Sequence, residues 1–391
     1  MRVLVLVGDS WGVGAAPDAA AYGDEGSDTL GNASRAAGGI RAPNLGHLGL
    51  GMLTEIEGVP PEAGPGTFHG KMAEHSAGKD STTGHWEMMG IVLDRPFPTY
   101  PEGFPSEVME PFEEAIGMKA LGNVPASGTV IIEELGEEHL ATGRPIVYTS
   151  ADSVFQIAAH KDVVPLERLY EWCRIARGLL YGDHLVGRVI ARPFVGELGS
   201  FTRTHERRDY SVEPPSETYL ERIQAAGVPV YGVGKIPDMF VGRGLTESRH
   251  SESNANGVDL TIEYLSRGDH MLVFTNLVDF DSKYGHRNDP QGYARCVEEL
   301  DARLPELLEA VADDGILFIT GDHGCDPTDP STDHTREFVP VLGGGGALVD
   351  RSVDVGTRET FADLGATVAA LFGVAPDGLS GTSFTSELGL R

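Results

Sequence analysis

Apolar, β-rich runs that stop abruptly at aspartate constrain this chain more than any other feature. Val3 to Val7 is one such run, and it meets Gly8-Asp9. Met271 to Leu277 runs into VDFDSKYGH, and Ile316 to Thr320 runs straight into GDHG. Short continuous apolar runs of this kind read as parallel strands covered on both faces. Between and after them lie stretches with helical spacing. Tyr293, Cys296, Leu300, Leu304, Leu308 and Val311 recur on one face within 289–313, and FADLGATVAALFG closes the chain as a helix from Phe361. The order strand, helix, strand predicts an α/β fold with a mainly parallel sheet flanked by helices. Parallel sheets carry functional groups at the C-terminal ends of their strands, so the residues that end these runs can converge.

The middle of the chain has signals of its own. Thr129 to Ile132, Pro145 to Thr149 and Leu185 to Ala191 read as strands, and Leu166 to Leu180 as an amphipathic helix. The proline-rich LDRPFPTYPEGFP ahead of them reads as a linker, and Val228 to Val233 resumes the strand pattern. The expected organisation is a core from 1–98 and 216–391, with a smaller α/β domain inserted over 99–215.

The formal net charge of −29 excludes two classes of partner. Nucleic acid and anionic membrane surfaces both repel a polyanion. A site for an anionic substrate must then gather its cations locally, as metals or arginines. Cys173, Cys296 and Cys325 are an odd, scattered set, which gives neither a disulfide framework nor a zinc knuckle. MRVLVLVGDSWG lacks the features of a signal peptide, and no stretch is long and apolar enough to span a membrane. The expectation is a cytoplasmic protein, monomeric, with no nucleic-acid or membrane partner.

The strand ends supply metal-competent side chains. The first offers Asp9, the second Asp279, Asp281 and His286, the third Asp322 and His323, with His334 following in GCDPTDPSTDHTREF. Any one of these has an ordinary alternative, since Asp caps turns and Gly takes positive φ. Asp279 and Asp281 are two apart, so the pattern leaves open which of them faces a site. Three strand ends that all finish in Asp or Asp/His are less easily coincidental. Six carboxylate and imidazole ligands would serve two ions, and the mixture suits Mn²⁺ or Zn²⁺ better than Ca²⁺.

KDSTTGHWEMMG, Lys79 to Gly90, reads as a loop entering a helix. The N–H groups of a helix start favour an anion, and a phosphate fits there. Thr83, just before Gly84-His85, is a helix cap or a nucleophile. A divalent cation nearby lowers the pKa of such a hydroxyl. Ser81, Thr82 and Thr83 together offer more hydroxyls than one cap needs.

With these residues in place, the chain resembles the phosphopentomutases of the alkaline-phosphatase superfamily, nearly end to end. The likeness rests on DSWGVGAAPDAAAYGDEGSDTLG, KDSTTGHWEMMG, YTSADSVFQIAAH, IARPFVGE with FTRTHERRDYS, YGVGKIPD, FTNLVDFDSKYGHRNDP, GDHGCDPTDPSTDHTREFVPVL and GTRETFADLGATVAALFG. It implies that Asp9, Asp322 and His323 hold one metal, with Thr83 beside it, and that Asp281, His286 and His334 hold the second. It favours Asp281 over Asp279, and Mn²⁺ as the ion. It makes Thr83 the phosphoryl carrier, primed by glucose 1,6-bisphosphate or a similar activator. It places Ser150, Asp152, Arg192, Arg203, Arg207 and Lys235 around the substrate, and makes the inserted domain a cap. The implied reaction interconverts α-D-ribose 1-phosphate and D-ribose 5-phosphate, and the 2-deoxyribose pair, in nucleoside salvage. One departure stands out: Val-Gly precedes Asp9, where the family more often has a bulkier apolar residue. The alternatives are a phosphatase or another phosphosugar mutase of the same superfamily, or a metal-binding protein without catalysis, in which Thr83 is only a cap.

Overall fold

The computed structural model describes residues 1–150, 153–312 and 314–390. Its strands are β1 (Arg2–Gly8), β2 (Thr67–Met72), β3 (Leu121–Pro125), β4 (Ile146–Thr149), β5 (Val154–His160), β6 (Arg188–Val195), β7 (Thr202–Arg203), β8 (Arg208–Ser211), β9 (Val230–Val233), β10 (Glu247–Arg249), β11 (Met271–Leu277), β12 (Ile316–Thr320), β13 (Val339–Gly344) and β14 (Ser352–Arg358). The helices that matter below are α1 (Ser81–Met88), α2 (Gly128–Thr142), α3 (Leu166–Leu179), α4 (Pro290–Val311) and α5 (Ala362–Leu371). The chain divides into two compact units, 1–96 with 214–391, and 97–213. The division falls within the proline-rich stretch read as a linker.

The first unit is built on an eight-stranded sheet in the order β10-β9-β11-β1-β12-β13-β2-β14. The run β9-β11-β1-β12 is parallel throughout, and only β13 runs against its neighbours β12 and β2. The sheet is therefore mixed but mainly parallel. Val3 to Val7 are fully buried, as are Leu272, Val273 and Phe274 of β11 and Ile316 to Ile319 of β12. Both faces of these strands are covered, which is why they read as unbroken apolar runs. Leu4 and Leu6 pack with Val297, Leu300, Leu304 and Leu307 of α4 in one cluster. Each such side chain contributes roughly 2 kcal/mol by burial. Because β9, β11, β1 and β12 lie side by side and point the same way, their C-terminal ends share one edge.

The second unit carries the sheet β3-β4-β5-β6-β7, with β8 also paired to β6. α3 packs its Leu169, Trp172, Cys173 and Ala176 against Phe155, Ile157 and Val189. Two sequence expectations need correction here. Thr129 to Ile132 is not a strand but lies in α2. Its β-branched residues suggest a strand locally. Ile131, Ile132, Gly136 and His139 instead recur at helical spacing, and all four are buried. The strand expected from Leu185 begins at Arg188 and runs on to Val195. A short 3₁₀ turn at Gly182–His184 occupies the approach.

His139 has a defined charge state. The His160 N–H donates to its Nε2 at 2.8 Å, and its Nδ1 donates to the Arg144 carbonyl at 2.5 Å. Acceptance at Nε2 requires the neutral ring, and burial holds its pKa below the ordinary 6.5. The unfolded chain therefore binds a proton below about pH 6.5 that the folded unit does not, and stability is lost as the pH falls. Hydrogen exchange at the His160 amide, corrected for intrinsic rate, is expected to show severalfold more frequent opening at about pH 5.5 than at about pH 7.5. A His139→Gln variant, which does not titrate, should lack that difference.

Candidate active site

Every strand that ends at the common edge delivers a charged or imidazole side chain. β1 delivers Asp9, β11 leads into the loop with Asp281 and His286, β12 delivers Asp322 and His323, and β9 turns through Gly234 to Lys235. Gly234 has φ +79°, and a Cβ there would stand 2.2 Å from the Asn276 carbonyl oxygen. That turn brings Lys235 Nζ to 3.0 Å from Asp9 Oδ2 and 3.9 Å from Asp281 Oδ2. His334 comes from the segment between β12 and β13.

The three imidazoles are aimed by the same device. His286 Nδ1 meets the Thr332 carbonyl at 2.6 Å, His323 Nδ1 the Gly324 carbonyl at 3.0 Å, and His334 Nδ1 the Lys79 carbonyl at 3.0 Å. A carbonyl takes the Nδ1 proton and turns Nε2 toward the cluster, which is how metal-binding histidines are oriented. All three Nε2 atoms then face carboxylates. His286 and His334 stand 3.3 and 3.5 Å from Asp281 Oδ1, and His323 stands 3.5 Å from Asp9 Oδ1 and 3.4 Å from Asp322 Oδ2. These three carboxylate oxygens are buried and have no well-formed hydrogen bond. Two sets converge tightly enough to hold an ion: Asp281 with His286 and His334, and Asp9 with Asp281 and His323. Asp281 belongs to both sets, and Asp322 adjoins the second. Asp279, by contrast, turns away to the Asn254 N–H and to Lys283, each at 3.0 Å.

The electrostatics of the cluster are those of an anion in search of cations. Burial, then the charge of Asp322, pushes the Asp9 carboxyl up to about 7 despite Lys235. Burial also opposes ionisation of Asp281, but the hydrogen bond and charge of His334, then Lys235 and His323, hold it well below the usual range. Asp322 is likewise penalised by burial, yet His323, His85 and the Ser10 N–H hold it at about 2. Burial takes His323 down to about 4, while Asp281 outweighs burial and takes His334 up to about 9. Orphaned buried carboxylate oxygens beside pre-aimed imidazoles fit divalent cations of the Mn²⁺ or Zn²⁺ type.

α1 brings the hydroxyls. Its N-cap is Asp80, whose Oδ1 accepts the Thr82 and Thr83 N–H groups at 3.0 and 3.1 Å. Asp80 Oδ2 also accepts the Thr83 hydroxyl at 2.5 Å, and Thr83 is fully buried. The hydroxyl that faces the acid–imidazole cluster is Ser81's, 3.1 Å from His323 Nε2. Four residues on, His85 Nδ1 donates to the Ser81 carbonyl at 2.8 Å and lies 3.3 Å from Asp322 Oδ2. A Cβ on Gly84 would stand 2.2 Å from the Asp322 carbonyl oxygen, so only glycine lets the helix approach so closely. Asp80 and His85 were missed from the sequence, although both are visible there: an Asp before a hydroxyl run is an N-cap signal, and His85 sits one turn after Ser81.

The remaining expected residues lie in the second unit. Arg192 Nε donates to Gln156 at 3.1 Å, and Arg207 makes a two-pronged pair with Asp209 at 2.7 and 2.6 Å. Arg192, Arg203 and Arg207 all bear on the buried Tyr148 phenol and lower its pKa against the dominant effect of burial. The start of α2 adjoins the same group. A Cβ on Gly128 would stand 2.6 Å from the Tyr148 hydroxyl and 3.2 Å from Arg203 Nη1. No side chain caps that helix end, so the helix dipole adds to the arginines. Nothing in the sequence singled out Tyr148. Ser150 follows β4, with its carbonyl 3.4 Å from Thr149 Oγ1. Asp152 lies outside the described residues.

Among the described residues no helix is long and apolar enough to cross a membrane. The chain matches the metalloenzyme superfamily over residues 1–376. It is 60% identical to the phosphopentomutase of Anaeromyxobacter dehalogenans strain 2CP-C, covering 99% of this chain and 98% of that one. It is 57% identical to the phosphopentomutase of Thermotoga maritima, covering 98% of each. The fold is also that of a Leishmania mexicana phosphoglycerate mutase crystallised at low cobalt concentration, at TM-score 0.50 and 14% identity over 97% of both chains. A chain so similar along its whole length to these mutases belongs to the phosphopentomutase family of the alkaline-phosphatase superfamily, and is a metal-binding isomerase that transfers a phosphoryl group.

Proposed function

We propose that the enzyme interconverts α-D-ribose 1-phosphate and D-ribose 5-phosphate, and the 2-deoxyribose pair, through a phosphorylated hydroxyl at the start of α1. The observation that carries this reading is the placement of the Ser81 hydroxyl, 3.1 Å from His323 Nε2, against a cluster of pre-aimed imidazoles and orphaned carboxylates. We assign the carrier to Ser81 and not to Thr83, because the Thr83 hydroxyl is committed to Asp80 and has no exposed face. Asp9, Asp322 and His323 are assigned to one Mn²⁺, and Asp281, His286 and His334 to the other, with Asp281 able to reach both. When bound, the two ions would neutralise charge on the oxygens entering and leaving phosphorus. Glucose 1,6-bisphosphate or a similar bisphosphate primes Ser81.

The chain's own part is positioning. Phosphorylated Ser81 gives its phosphoryl group to the free hydroxyl of the sugar phosphate. The P–O bond to Ser81 Oγ breaks as the sugar oxygen takes the phosphorus, and the hydroxyl proton passes to Ser81 Oγ. The sugar bisphosphate reorients and returns its other phosphate to Ser81. The dipole of α1, whose Thr82 and Thr83 N–H groups Asp80 already takes, favours an anion at that end. Arg192, Arg203 and Arg207 hold the phosphate not being transferred, with Ser150 and Asp152 on the sugar. Arginine suits this because its planar fork binds oxyanions in two places. Lys235, now paired with Asp9, would be released to the substrate as the ions bind. We place the enzyme in the cytoplasm, in nucleoside salvage, a setting in which three buried free cysteines stay reduced.

The deciding experiment is phosphorus NMR with Mn²⁺, ribose 1-phosphate and a trace of glucose 1,6-bisphosphate. Ribose 5-phosphate should form with little inorganic phosphate. Ser81→Ala should lower kcat by about three orders of magnitude or more and abolish the phosphoprotein signal. Thr83→Val, which only loosens the turn, should cost about tenfold and keep that signal. Phosphate labelling that survives in Ser81→Ala would return the role to Thr83, and rapid release of inorganic phosphate would favour a phosphatase.

The shared carboxylate gives a second test. Isothermal titration with Mn²⁺ should find two ions in the parent enzyme. His286→Ala should weaken one by about 10- to 100-fold, whereas Asp281→Asn should weaken both.

A further inference from the structure

Ser10, next to Asp9, holds a backbone conformation that a serine rarely adopts. Its φ is +74°, and the residue is fully buried. Isolated strain of this kind persists only where the surroundings impose it. Here three hydrogen bonds do so. The Ser10 N–H donates to Asp322 Oδ1 at 3.0 Å. The Ser10 carbonyl accepts from the Tyr293 hydroxyl at 2.9 Å and from the Gly12 N–H at 3.0 Å. The Tyr293 hydroxyl lies farther from Ser10 Oγ, at 3.4 Å, so its one proton belongs to the carbonyl.

Tyr293 is itself fixed. It is fully buried in the first turns of α4, its ring against Phe280, which packs in turn on Trp11. The helix begins just after the loop that carries Asp281 and His286, with Asp289 capping the Gly292 N–H at 2.8 Å. The tether thus joins that loop's helix to the turn between Asp9 and Trp11. The turn has a direct effect on the cluster. By giving its N–H to Asp322 Oδ1, Ser10 spends that oxygen and leaves Oδ2 as the one facing His323, beside Asp9 Oδ1.

We propose that Tyr293 is a positioning residue: its hydroxyl holds Ser10 in the left-handed conformation that aims Asp322 and Asp9 at one cation. This rests on the reading of the cluster as a two-metal site. The tyrosine is not itself one of the carboxylates or imidazoles that would hold an ion.

The test uses Tyr293→Phe, Ser10→Gly and the double variant, with two readouts. The first is hydrogen exchange of the residue-10 amide in metal-free protein. The second is Mn²⁺ binding by titration calorimetry. Tyr293→Phe should speed the exchange tenfold or more and weaken one of the two Mn²⁺ sites by about tenfold, leaving the other unchanged. Glycine holds φ near +74° without a tether, so Ser10→Gly in the Tyr293→Phe background should recover most of the lost affinity. A purely structural tyrosine would lower the unfolding midpoint without splitting the two affinities, and glycine would not rescue it. Equal Mn²⁺ binding by Tyr293→Phe and the parent overturns the positioning role. Failure of Ser10→Gly to rescue overturns the backbone route. A parent protein that takes up no Mn²⁺ removes the two-metal reading itself, an outcome distinct from both.

Discussion

Three buried carboxylates at one edge of a sheet set the terms for the rest of this structure. Asp9, Asp281 and Asp322 are almost without solvent, and their charges act on one another. Such a group is tolerable only with compensating positive charge close by. The fold supplies it piece by piece: Lys235 through a glycine turn, His334 from a distant segment, and His323 and His85 against Asp322. These partners answer part of the demand and leave one oxygen of each carboxylate unclaimed. Orphan oxygens alone do not mark an ion site, since Glu74 Oε1 is buried and unpartnered too; what marks this cluster is that its orphan oxygens converge on three imidazole Nε2 atoms. Arg336 shows the contrast. Its guanidinium meets Asp18, Glu74 and two backbone carbonyls, and its task is to lock the segment that follows His334 to the one that precedes α1.

Much of the fold was legible because burial on both faces writes itself plainly into sequence. The observed Met271–Leu277 and Ile316–Thr320 strands are the expected ones, since strands covered on both sides need continuous apolar residues. Where one face is wet, local composition misled. The run Thr129 to Ile132 carries β-branched residues, but the face it buries is set by residues one and two turns later. The carboxylates and imidazoles of the cluster were legible as types at strand ends. The choice between Asp279 and Asp281 was not, because it depends on a short π-helical turn at Phe280–Tyr284 that breaks strand alternation.

The hydroxyls at the start of α1 show a finer limit. Ser81 and Thr83 both precede Gly84-His85, and either could be exposed. What separates them is which residue caps the helix. With Asp80 as N-cap, Thr83 falls at the third helical position, where N–H and hydroxyl both turn back to the cap. Ser81, at the first position, is left over the helix end. Thr83 would take the first position only if the cap moved two residues on, to Thr82. Gly8 is a similar case. A residue with a side chain would not fit there, because a Cβ would stand 2.6 Å from the Trp11 ring, which fills that space itself.

The side-by-side arrangement of β9, β11, β1 and β12 has a consequence for how the site comes into being. Residues adjacent at the sheet edge are separated by hundreds of positions in the chain: Asp9 stands beside Asp322, and Lys79 beneath His334. Among the described residues, neither three-residue set that could hold an ion comes from one local segment. During synthesis the early strand β1 must therefore wait, its aspartate unneutralised, until β11 and β12 emerge to flank it. Binding energy gained at the edge is then shared by the whole first unit, so a cation held there acts as a clasp between its beginning and its end.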